Sequence, residues 1–147
     1  MLRLCAVPLM NLQRFLDAKN PSIPKVLKEL QAGFKQSHWI WFVFPQRRGL
    51  GYGQRAQFFS LEYLDEARAF QKHLVLGPRL RECNTAVLRH TQKSASQILG
   101  APDDLKFFAC MTLFSEAAPE ELVFRLALQA FFNGAKDPET LRLCGLT

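Results

Sequence analysis

Ser37-His38-Trp39-Ile40-Trp41-Phe42-Val43-Phe44-Pro45-Gln46 is the stretch from which the rest of this 147-residue chain is read. It holds both tryptophans of the sequence together with Phe42 and Phe44, a concentration of apolar surface that has to be buried. Alternation from Trp39 to Phe44 would suit a buried strand, and aromatic residues favour strands. No second convincing strand occurs in the chain, and a lone strand has no partner for its backbone N–H and C=O groups. The stretch is therefore read as a short helix, capped by Ser37 and stopped near Pro45, around which the other elements pack. On such a helix His38 and Trp41 share one face, and Trp39, Phe42 and Val43 another. Ser37, His38 and Gln46 bracket the aromatic plug, which makes them edges of a candidate pocket with Trp41 as its floor.

Outward from this stretch the pattern stays helical. Asn11 can cap a helix running to Lys19 with Leu12, Phe15 and Leu16 on one stripe. Asn20-Pro21-Ser22 breaks it, and Pro24 fits the first turn of a second helix that turns Val26, Leu27 and Leu30 inward and ends at Gly33. Downstream, Gln46 to Gly53 is a glycine-rich loop, Gln54 to Leu61 reads as helical, and Leu64 to Phe70 is a helix with Asp65 near its positive end. Gly77-Pro78 introduces the next helix, with Pro78 at its first position and Leu80, Cys83 and Val87 on its core face. Ser94 to Leu99 is short and closed by Gly100. Pro102-Asp103-Asp104 opens a helix carrying Leu105, Phe108, Met111, Thr112 and Leu113. Pro119-Glu120-Glu121 opens another, which runs to Phe132 with Gly134 as its stop. Asp137-Pro138-Glu139 opens a last one with Leu141 and Leu143. The expectation is an all-α, single-domain fold over residues 11–147, preceded by an irregular leader at 1–10.

Composition narrows the function classes. Hydrophobic residues make up 48% and charged residues 22%, enough for a packed core. No apolar run approaches the roughly 18 residues of a membrane span, so no membrane partner is expected. The net charge of +6 favours anionic partners. Its basic residues are scattered, however, where a dedicated nucleic-acid protein carries a dense stripe, so nucleic acid is not the expected partner. Cys5, Cys83, Cys110 and Cys144 form no close pair of the kind a zinc site needs, so no metal is expected. With no export signal, reduced thiols and a cytoplasmic location follow.

The quoted segments also resemble a known family. Asn11-Leu12-Gln13-Arg14-Phe15, Lys35 to Gln46 followed by Gly49-Leu50-Gly51, Glu66-Ala67-Arg68-Ala69-Phe70, Leu76-Gly77-Pro78-Arg79-Leu80, Asp103-Asp104-Leu105-Lys106 and Met111-Thr112-Leu113-Phe114 carry the likeness. It is to the bacterial domain-of-unknown-function family 1810, whose members are sometimes labelled calpastatin. The resemblance spans nearly the whole chain from Asn11 and implies no activity, cofactor or reaction, because the family has none established. The inhibitory segments of calpastatin are disordered, whereas this composition is that of a packed domain.

Candidate chemistry centres on Ser37, His38, Trp41, Gln46, Arg79, Asp104 and Lys106. His38 carries an imidazole, a side chain that can act as acid or base. Ser37 is not its nucleophile, because neighbours on a helix point about 100° apart. Arg79 and Glu82 stand at i, i+3 on one helix, and Asp104 and Lys106 at the mouth of another, where they could line a polar pocket with His38. Gly51-Tyr52-Gly53-Gln54-Arg55-Ala56 matches G-x-G-x-x-A but lacks the strand and crossover that a dinucleotide site requires. Glycines there would still let a backbone approach a ligand, with Arg47, Arg48 and Arg55 adding charge. Glu62 and Glu66 read as a solvated helix face. The favoured expectation is a small anionic, nucleotide-like ligand held near Ser37-His38-Trp39, with no cofactor and no catalytic residue assigned. The alternatives are a protein-interaction module presenting Phe58 and Phe59, and a weak, salt-sensitive nucleic-acid binder.

Overall fold

Ala109 through Ser115 are buried without interruption. Seven successive positions cover every face of a helix, so the element that carries them has to be enclosed on all sides. The structure, a computed structural model, describes residues 11–146. Over these it forms ten helices: α1 (Gln13–Asp17), α2 (Ile23–Ala32), α3 (Ile40–Val43), α4 (Gly53–Phe58), α5 (Leu64–Lys72), α6 (Leu76–Leu88), α7 (Ala95–Leu99), α8 (Asp103–Ala117), α9 (Leu122–Phe132) and α10 (Pro138–Leu143). Among the described residues there is no strand, only an isolated bridge between Arg47 and Leu61. The all-α expectation stands. The leader at 1–10 and Cys5 lie outside the described residues.

The enclosed element is α8. It packs against α3, α5, α7, α9 and α10, while α6 lies against α2, α5 and α9. The hub is therefore α8 and not the tryptophan stretch, which contributes one short helix to its wall. Trp39, Ile40, Phe42, Val43 and Phe44 are nevertheless buried, as expected of so apolar a run. Phe44 meets Phe107 edge-on at 4.9 Å, and Phe15 meets Phe70 in the same way. On α8 the inward aromatic is Phe107, and Leu105, read as a core position, stands 62% exposed.

Local chemistry explains most boundaries. The Ser22 hydroxyl accepts from the Lys25 N–H to start α2, and Gly33 ends it in the left-handed region at φ 74°. Ser94 and Gln97 exchange hydrogen bonds in a capping box at α7. Asp137 accepts from the Thr140 N–H ahead of Pro138 in α10. Three expectations are corrected. Pro78 occupies the third position of α6, which starts at Leu76; the first four N–H groups of a helix lack intrahelical acceptors, so proline is tolerated there. His73 Nδ1 accepts from the Val75 and Leu76 amides at that start. Pro119 and Glu120 lie in a turn closed by the Glu121 N–H on the Ala118 carbonyl, and α9 begins only at Leu122.

Candidate functional site

The third correction concerns Ser37, which caps nothing. The helix after it begins at Ile40 with no side-chain cap. The Ser37 hydroxyl instead donates to Glu29 Oε2 at 2.6 Å. Glu29 stands on the inward face of α2 beside Val26 and Leu30, 8% exposed. Its Oε1 accepts from the Gln36 amide at 2.9 Å, the Ser37 amide at 3.0 Å and the Trp39 indole N–H at 2.9 Å. A buried carboxylate is tolerable when its lone pairs are filled in this way. Burial pushes its pKa up, but the Ser37 hydroxyl, the Gln36 amide, the Trp39 indole and the Ser37 amide together outweigh that and bring it down to about 2.

Lys35 secures the same segment from the other side. Its ammonium lies 4.9 Å from the Trp39 ring, donates to the Ser37 carbonyl at 2.5 Å, and pairs with Asp103 Oδ2 at 2.9 Å. Its amide donates to the Ile98 carbonyl at 2.7 Å. Residues 35–39 are thus tied to α2, α7 and the start of α8 at once, and His38 and Trp41 follow from a fixed base.

Two clefts take up most of the remaining candidate residues. One, of 320 Å³, has Ala18, Trp41, Phe42 and Phe59 as floor and Lys19, Asn20, His38 and Arg55 as rim. Phe59 ties that floor to the core through Phe42 at 5.8 Å and Phe15 at 5.7 Å. The other, of 610 Å³, runs between the glycine loop and α8, lined by Gln46, Tyr52, Leu105, Lys106, Phe108, Asp137 and Glu139 among others. Lys106 lines the larger cleft, and its ammonium lies 5.4 Å from the Trp41 ring. The Arg55 guanidinium lies 5.3 Å from the same ring. Both distances are within cation–π range.

The residues singled out from the sequence are thus divided. His38 and Trp41 line the smaller cleft, Gln46 and Lys106 the larger, and Ser37 belongs to the Glu29 network. Arg79 and Asp104 line neither cleft; each keeps a buried atom, Arg79 Nη1 and Asp104 Oδ1, without a hydrogen-bond partner among the described residues. Asp103, not Asp104, pairs with Lys106, at 3.5 Å. Arg47 donates to the Leu143 carbonyl and Arg48 to the Ser60 hydroxyl, so both serve the loop itself. Glu66 accepts from the Glu62 amide and pairs with Arg14. Phe58 is 58% exposed, whereas Phe59 is partly buried. Among the described residues no group of three or more His, Cys, Asp or Glu side chains is placed to hold a metal ion, and no helix is long and apolar enough to cross a membrane. Sequence reasoning missed Glu29, Lys19 and Asn20. The signal for Glu29 was an acid three residues after Val26 and next to Leu30, on the buried stripe of an amphipathic helix.

The architecture is that of an all-helical domain with an aromatic segment pinned by a buried carboxylate. The chain belongs to the family described as "Protein of unknown function (DUF1810)", matched over residues 9–144. It is similar to the crystal structure of the conserved hypothetical protein Rv1873 from Mycobacterium tuberculosis, with 41% sequence identity and a TM-score of 0.88, covering 92% of this chain and 96% of that one. No curated protein matches.

Proposed function

We propose that this protein binds a small anionic ligand in the 320 Å³ cleft floored by Trp41, Phe42 and Phe59. One observation carries the reading: the rim supplies Lys19, Asn20, His38 and Arg55, and among the described residues no carboxylate lines the cleft. The larger cleft, by contrast, carries Asp137 and Glu139. Low-dielectric walls with one sign of charge concentrate the opposite charge from solution. Lys106 adds a further positive charge beside Trp41. The site so defined keeps His38 and Trp41 of the residues singled out from the sequence and leaves out Arg79 and Asp104. It is a binding site, with no reaction assigned. Buried free thiols at Cys83 and Cys110 accord with a cytoplasmic location.

Calorimetric titration with phosphate monoesters tests this reading. Binding that weakens with added salt and is lost in a Lys19→Ala/Arg55→Ala variant is expected. Equal binding by that variant, or no binding of any anion by the folded protein, refutes it.

A further inference from the structure

We infer, building on that anionic-ligand reading, that the ligand is a mononucleotide whose base stacks on Trp41 in the place now taken by the Arg55 guanidinium. The two tryptophans have different roles. Trp39 is fully buried with its N–H committed to Glu29, whereas Trp41 is only half-buried and forms part of the cleft floor. The two cations at the Trp41 ring differ as well. Lys106 is held by Asp103 at 3.5 Å, but among the described residues the Arg55 side chain has no hydrogen bond or ion pair, only the ring at 5.3 Å. Arg55 is also exposed, on a six-residue helix that begins at Gly53 with φ 90°. The Arg55 guanidinium, a flat group, lies over the flat apolar face of an indole. A nucleobase matches that surface equally well, and the displaced guanidinium then offers its planar fork to the phosphate. The 320 Å³ volume falls near the low end of the roughly 300–1,000 Å³ typical of small-molecule sites, sized for one nucleotide rather than a dinucleotide.

The test compares AMP, ribose 5-phosphate and adenosine by calorimetry and by intrinsic tryptophan fluorescence on the full chain. The expected result is that AMP binds about tenfold or more tightly than ribose 5-phosphate, the margin of one base–aromatic stack. AMP also changes the Trp41 emission, whereas ribose 5-phosphate does not. Trp41→Leu removes the AMP advantage and leaves ribose 5-phosphate binding within about twofold, whereas Arg55→Ala weakens both phosphates and spares adenosine. Equal affinities of AMP and ribose 5-phosphate for the native chain overturn the base assignment and leave the anionic reading standing. Failure of both phosphates to bind removes both. The comparison on the native chain decides even if Trp41→Leu does not fold.

Discussion

Glu29 accepts the Trp39 indole N–H at 2.9 Å, and this bond joins the inward face of α2 to the largest fully buried side chain among the described residues. Three further hydrogen bonds converge on the same carboxylate, from the amides of Gln36 and Ser37 and the hydroxyl of Ser37. Removing the acceptor leaves the buried Trp39 N–H and three part-buried donors unpaired. Glu29→Ala is therefore expected to cost about 2–4 kcal/mol, more than a typical surface substitution. The urea midpoint of the variant against the parent checks it; a difference within error contradicts the role.

The same carboxylate predicts an acid limb in the stability profile. Its pKa is about 2 in the folded chain, below the roughly 4.3 of a free glutamate. A lowered pKa means that the contribution is complete above the unfolded value and is lost as pH falls from there through the folded value. Urea midpoints measured from neutral pH down to about pH 2 should fall less steeply for Glu29→Gln than for the parent. Parallel profiles would show that other groups govern the acid limb.

Gly77 is required by contact rather than by backbone angle. A methyl group there would lie 2.0 Å from the Gln71 carbonyl oxygen, which is backbone and cannot step aside. Gly77→Ala should destabilise by at least about 2 kcal/mol, despite alanine's better helix propensity. Thermal denaturation decides it, and an unchanged or raised Tm would contradict the packing.

The Cys83 and Cys110 thiols should be inert in the folded chain. Burial pushes the Cys83 thiol up to about 12, with Glu82 adding to the rise and Arg79 opposing it, and burial alone pushes Cys110 up. The thiolate is the reactive form, so neither should react with a thiol reagent at neutral pH until the chain unfolds. Peptide mapping after labelling reads each cysteine separately. Rapid native labelling of either contradicts its burial.

How far the sequence revealed this arrangement depended on the range of the interactions involved. Helix starts set by a side chain three residues away, as at Ser22, Ser94 and Asp137, were legible, because both partners lie in one short window. Ser37 looked the same but was misread: its hydroxyl is taken by Glu29, eight residues earlier, a pairing that exists only once α2 and the tryptophan segment fold together. The central position of α8 was hidden for a related reason. A helix apolar on all sides shows no periodic stripe, so Phe107 and Leu105 could not be sorted into core and surface by pattern. At the candidate site, His38 and Trp41 were legible as a polar edge beside an aromatic floor. Lys19 and Asn20 were not: the break at Asn20-Pro21 is marked locally, but its approach to Trp41, more than twenty residues on, is not.

The proposed site can be tested most directly through the two indole N–H groups. In a nitrogen-15 spectrum they give separate signals, one from Trp41 in the cleft floor and one from Trp39 sealed against Glu29. Titration with AMP should shift the Trp41 signal in a saturable way and leave the Trp39 signal in place. If both signals stay unmoved up to millimolar AMP, or the shift falls on Trp39 alone, the ligand cleft assigned here is wrong.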